Sequence, residues 1–187
     1  MDLLKIIEFV KPFYEKKDIM HNLSHIERVL KYVDKLINIR LDAIDKEIVT
    51  YAAYFHGFIY SNENTITGWL KSQNISEDCI SKIVKVAWES QKNEEAETLE
   101  GRILHDAHMI EGGRTYLIVK SLITGSVRGQ TLEQTIDYIE NNILDKGVCY
   151  LPEAQGIYDE QQAFAKDFIV NLKEGIDIEN RRHVLLD

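Results

Sequence analysis

Two histidines and one aspartate are the residues of this chain whose types and spacing could do chemistry. His25 belongs to the stretch 21–29, His56 follows an apolar run that starts at Tyr51, and Asp106 lies within residues 103–107. Two imidazoles and one carboxylate can bind a divalent metal ion and leave open positions for water. A buried carboxylate needs a cation, a metal or several hydrogen-bond donors. The pattern therefore predicts a metal site. Each histidine taken alone is also compatible with a hydrogen-bonded residue of the core.

Helices must position these residues, because apolar side chains recur at spacings of three and four along most of the chain. Asp45, Ser76 and Thr98 are typical N-cap residues for three helices that follow a first helix over 23–40. The Asp45-capped helix carries an apolar stripe that continues to Ile59. The remaining predicted elements are a Gly-Gly interruption at 112–113, helices at roughly 114–122, 131–144 and 158–174, and a loop at 125–129. No strand-like alternation persists, so the fold class is all-α.

The length of 187 residues predicts one domain with a substantial core. We expect a single helical domain over 1–187. Its core would span about 20–125, with C-terminal helices at 131–175 packed on it.

Composition excludes several kinds of partner. A net charge of −9 disfavours a nonspecific grip on nucleic acid, and the basic cluster at 181–183 is expected to be a solvated tail. The apolar runs are shorter than the ~20 residues of a membrane span, and the N-terminus has no signal-peptide pattern. Cys79 and Cys149 lack a CxxC spacing, which is typical of reduced thiols in a cytoplasmic protein. The oligomeric state cannot be predicted from these features.

Three segments, in order, resemble the HD superfamily of metal-dependent phosphohydrolases. Residues 21–29 resemble the opening H-D-x-x-H-x-x-R-V segment, residues 51–57 resemble A-A-x-x-H-D, and residues 103–113 resemble I-x-x-D-A-D-x-L-x-x-x-G. Leu151-Pro152 followed by a helix is similar to the small bacterial branch of the family. The resemblance implies a helical bundle of the HD type.

The resemblance also implies a function. A divalent cation (Mn, Mg, Fe, Ni, Co or Zn, which the sequence does not distinguish) would be held by His25, His56, an aspartate after His56, and Asp106. It would polarise a phosphoryl oxygen and lower the pKa of a bound water molecule. The substrate would be a phosphorylated small molecule, with nucleotides as one candidate class. Arg28, one turn after His25, would contact the phosphate, the alternative being an exposed surface arginine.

The chain departs from the family pattern at four positions. Gly57 stands in place of the aspartate after His56, and Asn22 and His108 replace two further acids. Glu89 stands in place of a helix histidine. The changes concern the metal ligands and their surroundings rather than the apolar framework.

Two residues are candidates for an additional ligand. His21 shares a helix face with His25, and Glu89 would contribute if its helix lines the pocket. Neighbouring residues of a helix differ by 100°, so His105 and His108 are expected to point away from any ion that Asp106 binds.

Gly57 is expected to end its helix with a positive φ angle. Three hypotheses then stay open for the chain. It is a phosphohydrolase with a reduced metal shell, a degenerate HD domain that binds a ligand or a protein, or a structural domain with a hydrogen-bonded polar core.

Overall fold

The structure, a computed structural model, describes residues 2–40, 42–91 and 94–176. These residues contain nine α-helices and no strand. The helices are α1 (Leu3–Tyr14), α2 (Leu23–Asn38), α3 (Lys46–Phe55), α4 (Ile59–Ser72), α5 (Glu77–Glu89), α6 (Leu99–Met109), α7 (Tyr116–Val127), α8 (Leu132–Asn142) and α9 (Pro152–Ile176). The all-α prediction is confirmed. Within these ranges no helix is both long and apolar enough to cross a membrane. The basic cluster at 181–183 lies outside the described residues.

Side-chain caps start the helices that carry the chemistry. Asp45, Ser76 and Thr98 each accept a hydrogen bond from a backbone N–H group of the first turn, as predicted. Asn22 starts α2 in the same way, since its Oδ1 accepts from the N–H of Ser24 at 3.0 Å. A capping side chain satisfies a donor that the first turn of a helix leaves unpaired. The residue at position 22, where the family pattern has an acid, therefore has a structural role.

The stripe that was predicted to run on to Ile59 belongs to two helices. Helix α3 ends at Phe55, the chain turns through 56–58, and α4 begins at Ile59. His56 is the C-cap residue of α3, and its backbone N–H still donates to the carbonyl of Ala52. The histidine thus lies at a helix end, where its ring is held by neighbouring elements.

Two C-terminal boundaries also differ from the prediction. Helix α7 continues to Val127, so the predicted loop at 125–129 is helical in its first half. Gly125 lies where α7 meets α8, and a Cβ atom there would come within 2.2 Å of Thr135 Oγ1. This glycine therefore serves close helix packing rather than a turn. Helix α9 begins already at Pro152, a favourable first residue because its missing N–H would be unpaired anyway.

Two apolar clusters hold the helices together. The larger one is formed mainly by α1 to α6, and the smaller one by α7, α8 and α9. Helix α6 packs against α2, α3 and α5, and α9 packs against α6 and α7. Helices α2, α3 and α6 therefore meet in the larger cluster, and each of them carries a histidine toward the same place.

Candidate metal centre

Three histidines converge where α2, the end of α3 and α6 meet. His25, His56 and His108 each offer a ring nitrogen, and these nitrogens lie within 4.8 Å of one another. The ring centroids are 6.0 Å apart for His25 and His56, 5.3 Å for His25 and His108, and 4.6 Å for His56 and His108. This three-histidine cluster could hold one metal ion.

The His56 ring is held in one tautomer by Ser90. The Ser90 hydroxyl donates its only proton to the carbonyl of Ala87 at 2.7 Å, and Ser90 Oγ lies 2.8 Å from His56 Nδ1. The Gln91 amide nitrogen also lies 3.3 Å from His56 Nδ1, but its two hydrogens go to the carbonyls of His56 and Ala87 at 2.9 and 3.0 Å. This arrangement assigns the proton to His56 Nδ1, which donates it to Ser90 Oγ. The lone pair is then on Nε2, the nitrogen left for a metal. Such a hydrogen bond on the far nitrogen is a usual feature of metal-binding histidines.

Glu111 orients the His25 ring in a comparable way. Its Oε1 lies 2.9 Å from His25 Nδ1, although the alignment falls short of a regular hydrogen bond. A carboxylate only accepts, so Nδ1 carries the proton and Nε2 keeps the lone pair. Burial would raise the pKa of Glu111, but His25 and the Lys120 ammonium outweigh it and lower that pKa to about 2. Glu111 is thus ionised at neutral pH.

The three imidazoles are neutral at pH 7. Burial, together with repulsion from His25 when that ring is protonated and from the Lys120 ammonium, lowers the pKa of His56 to about 3. Burial also lowers the pKa of His108, well below the usual value, and that of His25, where Glu111 opposes the shift. Neutral imidazole is the form that binds a metal ion. The protonation state and the orientation of this donor set therefore fit a metal.

Glu111 also holds two cations beside the cluster. Arg28 Nε donates to Glu111 Oε1 at 2.8 Å, and Lys120 Nζ donates to Oε2 at 2.9 Å. Arg28 also donates to Ser24 Oγ at 2.9 Å and lies over the ring of Tyr116, 4.9 Å from its centroid. Arg28 is therefore fixed in a network, unlike a surface arginine on an exposed helix face. None of the sequence motifs includes Glu111 or Lys120 as a predicted site residue. A glutamate at the C-terminal end of a helix, where the dipole disfavours an acid, was an indication that it has cationic partners.

The backbone matches several solved structures over almost its whole length. An HD-superfamily hydrolase from Bacillus thuringiensis superposes with a TM-score of 0.74 at 17% identity, and the match covers 94% of this chain and 96% of that one. YpgQ of Bacillus subtilis in complex with ADP has a TM-score of 0.74 at 17% identity and covers 92% of this chain and 96% of its own. A protein of Lactobacillus plantarum has a TM-score of 0.79 at 15% identity, with 94% and 96% covered. This chain has the HD-domain fold. No protein-family model and no curated protein matches its sequence.

Asp106 does not face the cluster in this HD fold. Its Oδ1 accepts from the N–H of Tyr150 at 3.0 Å, its Oδ2 accepts from the N–H of Leu151 at 2.7 Å, and His105 Nδ1 lies 2.8 Å from Oδ1. The side chain is fully buried among these donors. The cluster thus contains His108 and not Asp106. The two residues point to opposite sides of α6, as the 100° rule requires, but the side that meets α2 and α3 is that of His108.

His21 and Glu89, the two candidates for an additional ligand, also lie outside the cluster. The His21 ring centroid is 6.1 Å from that of His25, but its Nδ1 lies 2.8 Å from Asp18 Oδ1. Glu89 is buried and accepts from the side-chain and backbone donors of Thr98, which joins the end of α5 to the start of α6. The carboxylate of Glu89 is therefore hydrogen-bonded at the junction of α5 and α6 and is not a member of the three-histidine cluster.

The residue at position 57 is a glycine because of its close neighbours, and not because of the expected positive φ angle. The glycines with positive φ in the described residues are 112, 113 and 129. A Cβ atom on Gly57 would come within 2.8 Å of Lys17 Nζ and 2.8 Å of Tyr14 Oη. Lys17 Nζ also donates to the carbonyl of Gly57. The space next to His56 is therefore filled by a lysine and a tyrosine.

The Ser90 hydrogen bond gives a first test of the centre. Ser90→Ala should leave the His56 Nδ1 proton without its acceptor and weaken zinc affinity by roughly 10- to 100-fold, the usual cost of losing such a partner. Titration against a competing chelator measures the change. Ser126→Ala, on the exposed last turn of α7, is the matched control and should bind zinc like the wild type. Equal affinities for Ser90→Ala and Ser126→Ala would contradict the assigned tautomer.

Proposed function

We propose that this protein is a metal-dependent phosphohydrolase whose ion is held by His25, His56 and His108. The observation that carries the proposal is the cluster of three neutral imidazoles, two of them oriented through their Nδ1 atoms by Ser90 and Glu111. The HD-domain fold supports it, because the cluster lies on the helix ends that bear the family-like segments.

The donor set favours a particular class of metal. Three imidazole nitrogens suit zinc, iron, cobalt, nickel or copper, whereas magnesium and calcium prefer oxygen ligands. A site with three protein ligands leaves a position open for water or substrate, as catalytic zinc sites do. When bound, the ion would supply Lewis acidity toward a phosphoryl oxygen and a water of lowered pKa.

The chain's own side chains supply the charge that a phosphate needs. Arg28 and Lys120 both contact Glu111, and each keeps part of its surface exposed. An arginine and a lysine that share one carboxylate leave one positive charge in excess beside the ligands. These two cations would bind and orient the phosphoryl group and stabilise the negative charge of the transition state. His25 connects the two functions through Glu111, since the same carboxylate touches the metal ligand and both cations.

The substrate class of this proposal is a phosphorylated small molecule, with nucleotides as the leading candidates. The support is the complex of YpgQ with ADP, since YpgQ shares the fold over 92% of this chain. At 17% identity that likeness extends to the fold alone, so the nucleotide must be tested directly.

Metal analysis and a phosphatase screen test the proposal together. Protein purified without chelator should carry about one equivalent of a nitrogen-preferring transition metal, and it should hydrolyse members of a panel of nucleotides and sugar phosphates. Removal of the metal should abolish turnover, and zinc or cobalt should restore it. Metal-free protein that binds a phosphorylated compound without hydrolysing it would instead identify a ligand-binding HD domain.

A further inference from the structure

We infer that Lys17 is an anion-binding residue of this centre and contacts a phosphate oxygen of the ligand. The inference deepens the proposed function and rests on it for the identity of the ligand, but it does not require that a metal is bound. The ligand class is an oxyanion of the phosphate type.

The Lys17 ammonium is held at Gly57, the residue after His56, with donors to spare. Its Nζ donates to the carbonyl of Gly57 and lies 5.0 Å from the ring centroid of Tyr14. An ammonium group has three donors, and the carbonyl uses one. Asp18, the adjacent acid, is turned to His21 Nδ1 at 2.8 Å and to the N–H of Met20 at 2.8 Å. The acid next in sequence is therefore committed to other partners.

Lys17 adds positive charge where the site already has an excess. Gly57 directly follows His56, and the bond of Lys17 Nζ to the Gly57 carbonyl places the ammonium next to this ligand in the chain. The Lys17 side chain is half-buried, and burial lowers its pKa while the charge of Asp18 opposes that shift. Arg28, Lys120 and Lys17 bring three positive charges to this region against the two carboxylates of Glu111 and Asp18, in a chain of net charge −9. A phosphate oxygen is the partner that this arrangement fits best.

The contact with Gly57 explains why an acid at this position would not simply complete the metal shell. The first side-chain atom of residue 57 would lie 2.8 Å from Lys17 Nζ. A side chain at position 57 would therefore displace the Lys17 ammonium, and the carboxylate of an aspartate there would pair with the displaced ammonium and neutralise it. Because Gly57 has no side chain, the Lys17 ammonium keeps its place and stays free to bind an anion.

A titration with inorganic phosphate tests the inference. Lys17→Gln keeps a donor for the Gly57 carbonyl but removes the charge, and Lys16→Gln changes the exposed neighbour in the same way. Calorimetric titration of metal-free and zinc-loaded protein should show phosphate binding that is roughly 10- to 100-fold weaker in Lys17→Gln, the cost of losing one hydrogen bond to a charged group. Lys16→Gln should stay within about twofold of wild type, since exposed single charges contribute little.

Further measurements distinguish the inference about Lys17 from the proposed phosphohydrolase function. Zinc affinity of Lys17→Gln should equal or exceed that of wild type, because a nearby positive charge is removed. Gly57→Asp should lose phosphate affinity without gaining zinc affinity, and this second variant decides the matter if Lys17→Gln does not fold. The inference is overturned if wild-type protein binds phosphate in neither state, if Lys17→Gln binds it like wild type, or if Gly57→Asp gains zinc affinity. Absence of zinc binding with intact Lys17-dependent phosphate binding would overturn the proposed function alone.

Discussion

His108→Ala is expected to reduce the bound metal to background and to weaken zinc affinity by more than about 100-fold, beyond the cost of an outer-shell loss. The reason is that His108 supplies one of three nitrogens that lie within 4.8 Å of one another. Two imidazoles remain in the variant, and they cannot complete the coordination of a transition metal. Elemental analysis after dialysis and a chelator-competition titration measure the loss.

His21→Ala is the matched control for this experiment. Its ring lies 6.1 Å from that of His25 on the same helix, but its Nδ1 is directed to Asp18. The variant should keep the metal and the zinc affinity of wild type. Metal retained in His108→Ala but lost in His21→Ala would show that His21, and not His108, is the third histidine ligand.

Asp106→Ala is expected to destabilise the fold by about 3 kcal/mol or more, with metal affinity of the folded protein largely kept. The carboxylate is fully buried and accepts from the backbone N–H groups of Tyr150 and Leu151, just before α9 begins. Each donor left unpaired in the interior costs about 1–3 kcal/mol. For a chain of this size the melting temperature should fall by roughly 6 to 12 °C, at about 2–4 °C per kcal/mol.

Urea unfolding and calorimetry measure this loss, and Asp159→Ala is the control. Asp159 is an exposed residue of α9, so its replacement should change the stability by less than about 0.5 kcal/mol. Asp106→Ala that keeps its stability and loses the metal would reverse the assignment and return Asp106 to the ligand set. Together with His108→Ala, the experiment separates a metal ligand from a structural carboxylate on the same helix.

Local patterns determined most of the helical framework. Ser76 and Thr98 cap helices where the sequence analysis expected them, because an N-cap acts within one turn of its own position. The predicted helix boundaries were wrong where a helix packs closely against another helix. Gly125 lies inside α7, where Thr135 of α8 leaves no room for a Cβ atom, and no local pattern reveals that contact. Helices α1 and α4 were not predicted, although both contribute to the main core.

The sequence by itself determined that His25 and His56 are drawn to a buried site on separate helices, and that His108 and Asp106 point to opposite sides of one helix. Those statements follow from helical periodicity, which relates residues of the same element. Only the tertiary structure decided which side of α6 meets α2 and α3, and it is the side of His108. The opposite side meets the segment that leads into α9, whose backbone donors use the carboxylate of Asp106. The packing of distant elements also brought Lys17 against Gly57, because the space beside His56 depends on a chain segment 40 residues away.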